Sequence, residues 1–185
     1  MKRMWVCGVV LFVQIAALLV LIVRYERVVM YGTEVRVPCQ GFDPYDPLRG
    51  RYLQVRSSLE CTNWVNDVAH RGESWDFGSR EVWLRVCETT NGLWEAVEVT
   101  RLPPKEGVWF KREAVMNYRM NTNDSYRVRC ELPNQLFVNE NLARDVDQKL
   151  QRASRENRAV AVYRVLEGEI VLTDIEIDGK SVRER

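Results

Sequence analysis

The sequence predicts an α+β protein, in which an N-terminal transmembrane helix precedes a mainly antiparallel β domain with one amphipathic helix packed on the sheet. Three observations predict it. Met4 to Val23 carries no charge. Most of the remaining chain falls into short segments that alternate apolar and polar residues, the period of a strand with one face buried. A single stretch after Asn139 instead repeats its apolar residues every three or four positions.

The apolar run MWVCGVVLFVQIAALLVLIV has Gln14 as its only strongly polar member, and as a helix it reaches about 30 Å, the thickness of a bilayer's hydrocarbon core. A cleaved signal peptide would carry an apolar stretch of roughly 7 to 15 residues closed by small residues. Here the run is longer and ends at Val23, Arg24, Tyr25 and Glu26. The expected division is an anchor over 1–27 and a soluble β-rich domain over 28–185. Lys2 and Arg3 precede the run, while Arg24 and Arg27 follow it with Glu26 between them, a small bias toward an N-terminus inside.

In the domain, Val35 and Val37 alternate with Glu34 and Arg36 up to Pro38 and Cys39, giving a first strand. Gln40 to Gly50 holds two Asp and Pro pairs and two glycines, the composition of an ordered loop. Tyr52 and Val55 resume an extended segment. Residues 60–80 show no clear period and read as loop with one short helix. Glu81 to Glu88 and Leu93 to Thr100 form a hairpin about Asn91 and Gly92, which places Trp83 across from Trp94. Val108 to Met116 and Tyr126 to Glu131 extend the meander. Leu142, Val146, Leu150 and Ala153 mark the amphipathic helix, with Asn139 as N-cap. Ala159 to Val165 and Ile170 to Ile177 close the chain as a hairpin turning at Glu167 and Gly168.

Charge limits the function. Lys and Arg number 27 against 26 Asp and Glu, interspersed throughout, so nothing opposes a phosphate backbone and no nucleic-acid partner is expected. Cys39, Cys61, Cys87 and Cys130 are even in number and contain no C-x-x-C. They are therefore disulfide candidates in an oxidising compartment, with free buried thiols as the alternative, and no metal or cofactor is called for. His70 is the only histidine. With no G-x-S-x-G or H-E-x-x-H signature, a membrane-tethered, peptidase-like hydrolase with a Ser/Lys or Asp/His site is the second reading behind binding.

The segment Asp46-Pro47-Leu48-Arg49-Gly50-Arg51-Tyr52-Leu53-Gln54-Val55-Arg56-Ser57 resembles the signature of a family of bacterial membrane-anchored proteins named for Gly-Asp-Tyr-x-x-Leu-x-Tyr, the GDYXXLXY family. Gly50 and Tyr52 match; Arg51, Val55 and Ser57 stand where the family has Asp, Leu and Tyr. Leu136-Phe137-Val138-Asn139-Glu140 is similar to the family's Tyr-Phe-Val-x-Glu, and the chain shares a final hairpin ending at Ile177-Asp178-Gly179. The resemblance implies an extracytoplasmic, anchored domain and brings no activity with it. Together with the even cysteine count, it favours a single-pass protein of the cytoplasmic (inner) membrane whose domain meets a protein or peptide partner outside the cytoplasm. The candidate binding residues are Asp43, Asp46, Arg49, Gly50 and Tyr52, since a rigid mixed-polar loop can hold a ligand. The planar fork of Arg49 suits a carboxylate.

Overall fold

The computed structural model describes residues 2–42, 52–65, 79–100, 102–120, 125–138 and 140–183. Helix α1 (Lys2–Tyr31) leads into β1 (Thr33–Phe42), β2 (Tyr52–Ser57), a 3-10 turn (Ser58–Glu60), β3 (Cys61–Val65), β4 (Ser79–Glu88), β5 (Trp94–Thr100), β6 (Val108–Met120), β7 (Ser125–Cys130) and β8 (Gln135–Phe137). Helix α2 (Glu140–Arg155), β9 (Ala159–Leu166), β10 (Glu169–Ile177) and β11 (Lys180–Ser181) follow. The α+β class is as the sequence predicts.

The strands do not form one meander. They make two antiparallel sheets, ordered β11-β10-β9-β1-β2-β8 and β3-β7-β6-β4-β5. β1 lies between β2 and the C-terminal strand β9, so the first and last thirds of the domain share a sheet. The chain crosses between sheets twice, at the 3-10 turn joining β2 to β3 and at residues 131–134 joining β7 to β8. The segment read as loop from residue 60 onward thus begins with a strand. Alternation there is masked by Thr62 and Asn63, which lie opposite Val128 and Arg127 of β7.

The inner faces close on one core. Val35, Val37, Leu53, Val55, Ala161 and Tyr163 of the first sheet meet Val82, Leu84, Phe110 and Val128 of the second. α2 adds Val146, Leu150 and Ala153, the residues its apolar stripe singles out. It sits so close to β1 that a Cβ at Gly41 would lie 2.7 Å from Leu150 Cγ. The Gly41 N–H donates to Ser154 Oγ (2.8 Å), which donates in turn to the Leu150 carbonyl (2.7 Å).

The Asn91-Gly92 hairpin forms with a five-residue connection, not a two-residue one. The Thr89 N–H donates to the Leu93 carbonyl (2.7 Å), and Glu88 faces Trp94. A bulge at Arg85 and Val86 shifts the register by one, and Trp83 faces Thr100, six residues beyond Trp94. Its ring packs edge-on against Trp109 of β6, with centroids 4.7 Å apart and planes at 78°. The β9–β10 turn does take the expected two residues, Glu167 and Gly168, both at positive φ (48° and 89°).

α1 is long and apolar enough to cross a membrane. Its last turns are part of the domain. Val28 is buried, Arg24 pairs with Glu169 (2.6 Å) and Arg27 with Glu167 (4.0 Å), and only Gly32 separates the helix from β1. The β9–β10 turn is fixed in turn to the second sheet: the Lys111 N–H donates to the Gly168 carbonyl (2.8 Å).

Candidate functional site

β2 carries the segment that matches the family signature. Leu53, Val55 and Ser57 point inward and are buried, while Arg56 is exposed. The strand ends when Ser57 Oγ accepts the Leu59 N–H (3.2 Å), a local turn that competes with further strand pairing. That turn swings Glu60 into the gap between the sheets. There it lines a cavity of about 290 Å³ with Gln54, Arg56, Arg129, Glu131 and Asn134 among its walls. A backbone bond from the Val55 N–H to the Asn134 carbonyl (2.9 Å) ties the two crossovers together beside it.

The cavity is polar and charge-balanced. Glu60, with its side chain only 10% exposed, has Oε2 at 3.6 Å from Arg56 Nε. Burial raises its carboxyl above the ordinary value, and Glu131 pushes the same way. The Ser57 backbone N–H and the guanidinium groups of Arg56 and Arg129 oppose the rise. Two cations and two carboxylates around one opening suit a zwitterionic or peptide-like ligand, whose carboxylate would face Arg129 beside the existing Arg56–Glu60 pair.

Behind Glu60 lies a buried polar cluster. Cys39 faces Ser57 across the β1–β2 pair, and the hydroxyl of the fully buried Tyr163 lies near Ser57 without a well-formed hydrogen bond among the described residues. Burial pushes the Cys39 thiol up to about 12 and raises the Tyr163 hydroxyl as well, so both stay neutral and unreactive.

A second polar opening, of about 320 Å³, lies between Gln40 and Gly41 of β1 and Gln151, Ser154 and Arg155 of α2. It is where β1 leaves toward residues 43–51.

Of the residues expected to bind, Asp43, Asp46, Arg49 and Gly50 lie outside the described residues. Tyr52 opens β2, with its backbone opposite Phe137 of β8. The two segments that carry the family resemblance, far apart in sequence, are thus neighbouring strands. Glu60, Arg56, Arg129 and Glu131 were not singled out from sequence. The spacing of Arg56 and Glu60 by four is a usable signal, whereas the approach of Arg129 depends on β7 pairing with β3, which sets Arg129 opposite Cys61 next to Glu60.

No disulfide is present among the described residues. Cys39 and Cys87 are thiols; Cys39 and Cys130 point into the core, whereas Cys87 is exposed at the end of β4. Opposite orientations on separate strands keep Cys87 from either. Only the backbone of Cys61 is described, opposite Arg129.

The groups a hydrolase would need are not brought together among the described residues. Ser57 is buried, Ser154 is engaged with Gly41 and Leu150, and Lys111 pairs with Glu81 (2.7 Å). His70 lies outside the described residues.

A family model described as GDYXXLXY protein matches residues 14–175 of the chain. No curated protein and no solved structure matches it.

Proposed function

The chain belongs to the GDYXXLXY protein family, and from that premise we propose that it is a single-pass membrane-anchored protein whose β domain binds a protein or peptide partner close to the membrane. In this reading α1 crosses the cytoplasmic membrane with Lys2 and Arg3 inside and the domain outside. The observation that carries the binding role is the cavity around Glu60, Arg56 and Arg129. A partly buried carboxylate beside guanidinium groups in an opening of this size suits polar chain ends.

The anchor supports the same reading. Through Val28 and the pairs Arg24–Glu169 and Arg27–Glu167, α1 fixes the domain's orientation instead of trailing it on a linker. β1 begins one residue after α1 and carries the chain about 20 Å at strand rise from Thr33 to Cys39, which lies opposite Ser57 beside the cavity.

Two measurements test this. Carbonate-washed membranes that retain a chain of intact N-terminal mass are the expected result for the anchor; a released or shortened chain overturns it. For binding, the full-length chain in detergent is presented to an array of short peptides with free or amidated C-termini. Retention of free-ended peptides that drops for Arg56→Ala and Arg129→Ala, with thermal unfolding unchanged, is expected. Retention indifferent to both substitutions, or none at all, overturns the cavity's role.

A further inference from the structure

We propose that α1 pairs with the α1 of a second copy of this chain, through a seam centred on Gln14; this rests on the membrane-spanning reading above. Between Met4 and Val23 the Gln14 carboxamide is the single strongly polar side chain, and it is exposed near the middle of the apolar run. In hydrocarbon a carboxamide without a hydrogen-bond partner is costly, and lipid offers none. A carboxamide both donates and accepts. A second Gln14 is therefore a complete partner for the first, which a symmetric pair supplies without any other protein.

The surroundings of Gln14 have the period that helix pairing requires. Cys7, Leu11, Gln14, Leu18, Leu21 and Tyr25 are spaced alternately by four and three. That is the seam of a left-handed helix pair, and all six are exposed. The next position of the same repeat, Val28, is buried against the domain, whereas Tyr25 before it is 47% exposed, so the seam runs open from Cys7 to Tyr25 and is closed by the domain at Val28. Another face holds Trp5, Gly8, Val9 and Phe12 around a shallow apolar groove. It carries no hydrogen-bonding group to set against the need of Gln14, except the Trp5 indole near the end of the run.

Cys7 reports on the pairing because it lies in the same seam one heptad before Gln14. Membranes containing the full-length chain are treated with copper phenanthroline as oxidant, which takes up the two thiol electrons as the Sγ–Sγ bond forms and two protons leave. The chain is then run on a non-reducing gel. A dimer band is expected that disappears in Cys7→Ser, falls about tenfold in Gln14→Leu, persists in Gln14→Asn and is unaffected by Phe12→Ala. A dimer that survives Gln14→Leu, or one lost in Phe12→Ala, overturns the assignment of the seam. A membrane-retained chain with intact N-terminus and no cross-link overturns the pairing while leaving the anchor in place. A chain that carbonate releases overturns both.

Discussion

Leu53 and Leu136 face each other across the β2–β8 pair, and each is only 2% exposed. One belongs to the segment resembling the family signature and the other to the second segment of resemblance, 83 residues later in the chain. Their contact closes the edge of the first sheet over the crossover from β7. Leu136→Ala is expected to cost about 2–5 kcal/mol of stability, as for other fully buried leucines. Urea unfolding followed by tryptophan fluorescence measures it, and a loss below about 1 kcal/mol would show that β8 adds little to the core.

Gly168 is the point where the two sheets are pinned beside the base of the anchor. A Cβ there would lie 2.8 Å from Trp109 Cζ3 and 3.1 Å from Trp83 Cζ3, at a φ of 89°. Gly168→Ala should therefore destabilise the domain by about 1–3 kcal/mol through overpacking and strain. It should also change the tryptophan emission of the native state. Gly179→Ala shares the positive φ but meets nothing within 4 Å, and it should cost less and leave the emission unchanged.

Glu60 gives the stability a defined pH dependence. Its carboxyl is raised in the folded chain, so the folded state binds a proton at a pH where the unfolded state does not. The associated stability is present below the unfolded value and is lost as pH rises through the folded value. Unfolding free energy should fall across that interval in the wild type, and the fall should be smaller in Glu60→Gln. Parallel urea titrations between pH 4 and neutrality, values bracketing the ordinary carboxylate range, compare the two. Identical profiles would mean that Glu60 titrates as in the unfolded chain.

Cys87 and Cys39 should differ sharply toward a thiol reagent. Cys87 is exposed, and Cys39 is buried with its thiol raised to about 12. In the native protein at neutral pH, labelling is expected at Cys87 and not at Cys39, which should react only on unfolding. Mass mapping of labelled peptides decides it; native labelling of Cys39 would mean that the first sheet opens readily.

Val28 joins the helix to the domain, so Val28→Asp should free the base of α1 by burying a charge in an apolar contact. Limited proteolysis is expected to gain a cut near Gly32 that the wild type resists, with the isolated domain released as a stable fragment. Equal resistance in both would assign the junction's rigidity to the ion pairs of Arg24 and Arg27.

Sequence by itself determined the elements whose physics is local. The length and apolarity of Met4 to Val23 specify a helix, the three-and-four repeat of Val146, Leu150 and Ala153 specifies α2, and alternation specifies β1, β4, β5, β9 and β10. The Glu167–Gly168 turn follows from Gly168, which accepts positive φ freely, with Glu167 held at positive φ beside it. Tertiary structure alone decided which strands share a sheet, because pairing β1 with β9 spans more than a hundred residues and is set by burial of both faces together. It set Trp83 against Trp109: Trp94 sits next to the Asn91-Gly92 turn opposite Glu88, five residues short of Trp83 on the facing strand, and the partner ring comes from β6. It also assembled the cavity. Arg56 and Glu60 come from one crossover and Arg129 and Glu131 from the other, and no local pattern brings two crossovers side by side.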